Sequence, residues 1–245
     1  MNEELARAWG FMRRGDAAGD SEEPSPLGIA VRDSRLPLRQ DSNYLLVDRP
    51  ATADIILVEL QRLGLPIATV ADETTLEGGP AGAEVAHRGV VMVHRGPVPA
   101  ASREAVPVTR EALEPLRRKR ILDQPWGSPE VADQLLGART ILEERVEVRY
   151  FASLEDGDVA AGTDLYLGPP DAQIEDVSTE PGLPNRGHGT AVVVGALVAA
   201  YGAGADFVFL VADAEDWPKE WYARLGFEPV GNYVKLRAPS VTEAP

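Results

Sequence analysis

Residues Ile174 to Tyr201 read IEDVSTEPGLPNRGHGTAVVVGALVAAY: a strand-like run, then a turn, then a long apolar helix. The turn carries the chemistry. Between Pro184 and Ala191 the sequence PNRGHGTA sets Gly187 and Gly189 where a loop winds into a helix, and glycine lets several backbone N–H groups point at one spot with no Cβ in the way. The first four N–H groups of a helix have no partner inside it, and the macrodipole adds partial positive charge there. An anion such as a phosphate is therefore favoured without any side chain. Arg186 adds a full charge at the lip of this site.

Spacing separates the known phosphate-binding loops. A P-loop needs G-x-x-x-x-G-K-[ST]. Gly182 and Gly187 have the glycine spacing, but His188 and Gly189 stand where Lys and Ser/Thr are required, which excludes it. The dinucleotide fingerprint G-x-G-x-x-G would start at Gly187 and Gly189, yet it ends on Val192 and comes late in the chain rather than on a first βαβ unit. What remains is Arg186-x-x-Gly189-x-Ala191, which resembles the R/Q-x-x-G-x-G/A pyrophosphate loop of the GNAT family of acetyl-CoA-dependent N-acetyltransferases. A second motif follows in the family's order. ADFVFLVAD (Ala205 to Asp213) is a continuous apolar run, as expected of a strand buried on both faces. Next comes a short helix, DWPKEWYARLGF, which Asp216 can cap, Trp217 and Pro218 open and Gly226 closes. Tyr222, Gly226 and Phe227 in it match the family's Y-x-x-x-G-F.

Composition narrows the class further. The chain has 245 residues, 44% of them hydrophobic, enough for one large or two small soluble domains. It has no cysteine, which excludes disulfides, thiolate zinc sites and cysteine nucleophiles and fits a reducing cytoplasm. Of the three histidines, His87 and His94 are an odd number of residues apart in one expected strand and so fall on opposite faces; no metal site is expected. The N-terminus has early acidic residues and no apolar signal segment, and no apolar run reaches the length of a membrane span, so a soluble, cytoplasmic protein is expected. A formal net charge of −15 opposes nucleic-acid binding. The acidity is either that of an ordinary soluble protein or an attraction for a cationic substrate.

In chain order, Leu5, Ala8, Trp9 and Met12 predict an amphipathic helix over 3–14, and Gly15 to Pro26 reads as a flexible connector. Residues Leu27 to Asp48 predict a hairpin or two neighbouring strands. A helix then starts at Thr52 or Ala53, with Ile55, Ile56, Val58, Leu60 and Leu63 as its apolar face and Gly64 at its end. Two further strand-like runs, PIATV and GVVMVHR, complete a small N-terminal α/β domain over 1–100, which resembles a degenerate acetyltransferase unit without the glycine loop. Gly96 to Ala105 reads as a linker, and a second domain is expected over 105–240.

In this second domain Val106 to Val108 opens as a strand and Thr109 caps a helix. The basic run Arg117 to Arg120 reads as a solvated helix face, with a phosphate or a partner as its alternative use. Ser128-Pro129-Glu130 starts another helix, with Val131, Leu135, Ala138 and Leu142 on one stripe. VEVRYFASL, VAAGTDLYL and AQIEDVST predict an antiparallel meander that turns at Asp156-Gly157. From Val106 to about Arg237 the order is β-α-α-β-β-β-α-β-α-β-β, the GNAT order, so the resemblance covers a little over half the chain.

The fold class is thus α/β with a mixed sheet, and the resemblance implies a GNAT N-acyltransferase fold that takes acetyl-CoA as cosubstrate and a small-molecule or peptide amine as acceptor. It implies further that the family's fourth and fifth strands splay, with the pantetheine arm lying between them as an added strand. Here Val177, Ser178 and Thr179 would supply the backbone groups for that arm, one N–H facing the thioester oxygen as an amine attacks. The pyrophosphate would fall to Arg186, Gly187, His188, Gly189, Thr190 and Ala191. Tyr222 would act as the acid toward the departing thiolate, or else pack on the sheet. Glu175 is the candidate base; alternatively Glu175 and Asp176 only form an acidic mouth for the amine. Two positions depart from the family: the loop between Pro181 and Arg186 is longer than the common form, and Glu215 stands where many members carry an Asn. Beside the enzyme stands a second class of function, a module that binds acetyl-CoA without turning it over, as a sensor or interaction partner. Neither the acceptor nor the oligomeric state is written in the sequence.

Overall fold

In the computed structural model, which describes residues 1–239, two parallel strand–helix–strand crossovers organise the chain. The helices are α1 (Glu3–Arg14), α2 (Ala53–Leu63), α3 (Arg110–Leu122), α4 (Pro129–Glu143), α5 (His188–Gly202) and α6 (Pro218–Arg224). The first strands are β1 (Ser21–Ser25), β2 (Gly28–Arg32), β3 (Tyr44–Val47), β4 (Ala51–Thr52), β5 (Ala68–Val70), β6 (Leu76–Glu77) and β7 (Glu84–His94). They are followed by β8 (Val106–Val108), β9 (Glu147–Glu155), β10 (Asp158–Gly168), β11 (Asp171–Thr179), β12 (Phe207–Asp213) and β13 (Phe227–Arg237). The architecture is mixed α/β, as expected.

Two units divide these elements. One holds Met1–Val91, Ala212–Lys219 and the chain from Pro229; the other holds Met92–Val211 and Glu220–Glu228. Where the linker-like GPVPAASREA suggests one boundary near residue 100, the units therefore alternate again late in the chain. The expected limit at residue 240 lies outside the described residues.

In the first unit the strand order is β1-β2-β3-β5-β13-β7. β3 and β5 are parallel, joined through α2, and β13 pairs antiparallel with β5 at Val234↔Val70. Ile56, Leu60 and Leu63 of α2 bury against Leu45, Val47, Val70, Val234 and Leu236. Gly64 ends the helix in the left-handed conformation at φ +62°. The buried face is narrower than expected, because Ile55 and Val58 are exposed and Glu59 is buried instead. Ser25 Oγ donates to Glu59 Oε1 at 2.7 Å and Arg62 Nε to Glu59 Oε2 at 2.8 Å, so this carboxylate has the partners a buried charge needs.

Two other expectations change here. Part of the expected connector 15–26 is the strand β1, paired antiparallel with β2 from Ser21↔Arg32 to Ser25↔Gly28. The sequence SEEPS shows no alternation because β1 is an exposed edge strand, where a proline is tolerated. The expected final pair of strands is a single strand, β13. Gly231 marks a close approach rather than a turn, since a Cβ there would lie 2.6 Å from Leu5 Cδ2 of α1.

In the second unit the order is β12-β11-β10-β9-β8, with β9, β10 and β11 in the expected meander. The β9–β10 turn has Asp156 at φ +54° and Gly157 at φ +93°. Ser128 caps α4, its Oγ accepting the Val131 N–H at 3.2 Å. The buried stripe of α4 is Ala132, Leu136, Ala138 and Leu142, turned slightly from the expected one. The basic run on α3 is not a plain solvated face: Arg117 is 3% exposed, and its partners belong to the site described below. No helix among the described residues is long and apolar enough to cross a membrane.

Candidate functional site

Where the β11–β12 ladder stops sets the site. The two strands run parallel and pair from Asp171↔Phe207 to Ile174↔Leu210. β11 then continues from Glu175 to Thr179, paired on its other edge alone, with β10. From Asp176 to Thr179 β11 therefore has no ladder pairing with β12. The register on the β10 side changes here as well: Ser178 faces Gly162 and Glu175 faces Asp164, so Thr163 stands opposite both Asp176 and Val177. This is a β-bulge, with Asp176 at φ +52° and Thr163 Oγ1 donating to the Glu175 carbonyl at 2.9 Å.

Beyond β11 the chain turns through Asn185 at φ +57° and Gly187 at φ +84° into α5. Gly187 is the N-cap of α5, and its carbonyl accepts the Ala191 N–H at 3.0 Å. The donors left open at the helix start are those of His188, Gly189 and Thr190, while Ala191 is buried in the core. A Cβ on Gly187 would lie 2.7 Å from Ser102 Oγ. One on Gly189 would lie 3.3 Å from Thr179 Oγ1 and 3.4 Å from the Trp221 ring. The end of β11, the start of α5 and the α6 helix therefore meet at Gly189.

Side chains at this helix start converge on Glu155. Its Oε1 accepts from Arg186 Nη1 at 2.6 Å and its Oε2 from Arg103 Nη1 at 2.6 Å; Arg103 Nε also donates to the Arg186 carbonyl at 2.6 Å. His188 is fully buried, with Nδ1 2.9 Å from Ser153 Oγ and Nε2 in ion-pair range of Glu155 Oε2 at 3.3 Å. Its side chain is thus a core group, and only its backbone N–H is offered to a ligand. Burial foremost, then the charge of Arg103, lowers the His188 pKa, with Glu155 opposing. Neither Arg103 nor Glu155 carried a sequence signal. The first sits in a linker-like segment and the second precedes an ordinary Asp-Gly turn.

Around the bulge, Glu175 is half-buried and accepts from Gln173 Nε2 at 2.8 Å. Asp176 does not serve as an open acidic mouth, because Arg117 Nε at 2.8 Å and Arg139 Nη2 both donate to its Oδ2. Val177 stands in the bulge opposite Thr163, and its carbonyl accepts from Arg120 Nη1 at 3.3 Å. Ser178 is buried, and Thr179 pairs with Ala161. Tyr222 of α6 is buried, its ring 4.7 Å from that of Trp221 and 5.9 Å, edge-on, from that of Phe227. Its pKa is raised, first by burial and then by the negative charge of Glu175, with Arg120 opposing. The phenol and the Glu175 carboxylate thus share one electrostatic environment. Glu215, at the family's Asn position, lies in the first unit and accepts from Arg88 Nη1 at 2.8 Å. Among the described residues no cluster of three or more His, Cys, Asp or Glu could hold a metal ion.

No family model and no curated protein matches the sequence. Solved structures do match. The chain is similar to a GCN5-related N-acetyltransferase from Kribbella flavida at a TM-score of 0.65 and 14% identity, over 98% of this chain and 97% of that one. It is similar to a functionally unknown conserved protein from Staphylococcus epidermidis at a TM-score of 0.64 and 15% identity, over 91% of this chain and 95% of that one. An acetyltransferase from the GNAT family of Colwellia psychrerythraea matches at a TM-score of 0.54 and 13% identity, over 76% of this chain and 72% of that one. At these identities the likeness is one of fold, and the fold is that of the GNAT acetyltransferases.

Proposed function

We infer that this chain transfers the acetyl group of acetyl-CoA to a primary amine by direct attack, using residues within 105–240. One observation carries the reading: the β11–β12 ladder ends at Ile174↔Leu210, so a stretch of β11 without β12 pairing leads directly to a glycine-capped helix start. An elongated ligand with an amide-bearing arm and a diphosphate fits that arrangement. The arm would pair with the β11 backbone over Val177, Ser178 and Thr179, and the diphosphate would take the N–H groups of His188, Gly189 and Thr190 beside Arg186.

The chemistry follows from the groups at the bulge. The amine nitrogen attacks the thioester carbon, the carbonyl electron pair moves onto oxygen, and the Val177 N–H stabilises that oxyanion. Before that attack Glu175 takes a proton from the substrate ammonium, directly or through water, which frees the nitrogen lone pair. Collapse of the intermediate expels the thiolate, to which the Tyr222 hydroxyl gives its proton. The raised pKa keeps that phenol protonated and ready to donate. The acceptor is a small molecule or a peptide that carries a primary amine.

The first experiment is thermal unfolding with and without acetyl-CoA, followed by a screen for free CoA thiol over a panel of amines. Stabilisation by acetyl-CoA, insensitive to chelator, together with thiol release in the presence of at least one amine is expected. Stabilisation without release for any amine would identify a binding module, and no stabilisation at all would remove the reading.

A further inference from the structure

β11 turns at a residue whose side chain is gripped from outside the strand. Asp176 at φ +52° occupies the left-handed region, which L residues other than Asn and Asp rarely adopt. Its Oδ2 accepts from Arg117 Nε of α3 at 2.8 Å and from Arg139 Nη2 of α4. The same guanidiniums reach a second carboxylate on β10: Arg117 Nη2 donates to Asp164 Oδ1, and Arg139 Nε to Asp164 Oδ2 at 3.2 Å. Asp164 is fully buried, and the Arg117 guanidinium lies 5.4 Å over the Tyr150 ring. Two carboxylates and two guanidiniums from four elements thus form a mostly buried quartet, with Arg120 Nη1 beside it at 3.7 Å from Asp176 Oδ1.

Such a quartet is a poor way to gain stability, since apolar side chains of the same volume often pack as well. What it supplies is direction. A guanidinium fork fixes both the distance and the plane of the carboxylates it binds, and removing one partner leaves a buried charge uncompensated. The group so fixed belongs to the bulge residue next to Val177, at the place where β11 has parted from β12.

We propose that Arg117 and Arg139 are positioning residues for acetyl transfer: through the Asp176 carboxylate they hold the left-handed turn that aims the Val177 N–H at the thioester oxygen. The inference rests on the acetyl-transfer reading above. Neither arginine touches the reacting atoms; both act on the oxyanion donor through Asp176.

The test uses the full chain with Asp176→Asn, which keeps size and tolerance of the left-handed backbone, and Arg139→Lys, which keeps charge but loses the fork. Both are assayed with acetyl-CoA and the first amine found to react. In each, kcat should fall about 10- to 100-fold, part of the 10²–10³ lost when an oxyanion donor is removed outright. KM for acetyl-CoA and the thermal shift it produces should stay within about threefold of the parent, because the arm and diphosphate contacts remain. The double variant should lose no more than about twofold beyond the poorer single, since both act through one contact. Unchanged kcat in either folded variant, losses that multiply in the double, or failure of both singles to fold would each overturn the proposal. A parent that binds no acetyl-CoA would instead remove the underlying reading, and the proposal with it.

Discussion

Two parallel crossovers, β3–α2–β5 and β11–α5–β12, share a topology and end differently. β3 and β5 pair at Leu45↔Ala68, Leu46↔Thr69 and Val47↔Val70, to the last residue of both strands, and the Ala71 N–H adds one more bond to the Val47 carbonyl. The connection to α2 contains no glycine, and Thr52 at the N-cap makes no side-chain capping bond. In the second crossover the ladder stops at Ile174↔Leu210 while β11 runs on to Thr179, and α5 begins on a left-handed glycine. A strand–helix–strand unit is therefore a packed element or a cleft according to where the ladder stops and whether the helix start is free of side chains. The first ladder runs to the last residue of both strands; the second stops short and leaves β11 to run on.

Filling the start of the second helix should abolish the difference. Gly189→Val drives a branched side chain against Thr179 Oγ1 and the Trp221 ring, where the end of β11, the start of α5 and α6 meet, and complete loss of acetyl-CoA binding and turnover is expected. The thermal stabilisation lost would be roughly 2.7 kcal/mol at a hundredfold excess over Kd. Thr52→Ala, at the matching point of the first crossover, should leave that stabilisation intact. Equal acetyl-CoA shifts in Gly189→Val and the parent would show that the two helix starts do not differ in function.

Tyr222→Phe sharpens the contrast by separating chemistry from binding. The variant keeps the ring and its packing on Trp221 and Phe227 and removes the hydroxyl alone. A positioned acid is worth about 10²–10⁴ in rate, so kcat should drop by that order with KM for acetyl-CoA little changed. A drop of less than about threefold, some 0.65 kcal/mol of barrier, would make Tyr222 a packing residue.

The raised pKa of Tyr222 gives a smaller effect with a definite sign. A phenol pushed above its ordinary value of 10 by burial and by Glu175 stays protonated through that pH, so the alkaline limb of kcat should lie above pH 10. In Glu175→Gln, one of the charges that raises the pKa is gone, and the limb should move to lower pH. A pH–rate profile of both proteins decides it; a limb that stays put in the variant would uncouple the two residues.

How much of this was legible in the sequence depends on what each feature rests upon. α1 follows from periodicity, and α2 and α4 from periodicity with end signals at Gly64 and Ser128, all local. The glycine turn into α5 and the short helix that carries Tyr222 are local as well. What stayed hidden depends on distant partners. Arg62 is a local partner of Glu59, but nothing near Glu59 says that Ser25 will meet it in the interior, and Arg117 looks like a solvated cation until Asp164 and Asp176 surround it. The bulge itself is silent, because an aspartate in a strand gives no notice that its φ will be positive. Glu155 and Arg103 belong to the same class: ordinary surface residues by sequence, made part of the helix start by chain segments that fold back to it.

The smallest expected effect comes from His188, which separates the second crossover from the first by burying a titratable ring in the first turn of the helix. Burial disfavours the imidazolium, and so do Arg103 and Arg186, with Glu155 the one opposing charge and Ser153 a neutral partner. The folded-state pKa is therefore depressed below the unfolded value of 6.5. Between the two values the unfolded chain binds the extra proton, so the stability this ring contributes is complete above about pH 6.5 and is lost as pH falls through that window. No such loss belongs to α2, whose first turn carries no histidine. Thermal unfolding of the parent and of His188→Gln at pH 7.5 and pH 5.5 should show the parent losing more on acidification. In the proposed reading the ligand takes the backbone N–H of residue 188 and not its ring, so acetyl-CoA binding should survive in the variant. An equal acid loss in both proteins would mean that the carboxylates, not this histidine, govern stability on that side of neutrality.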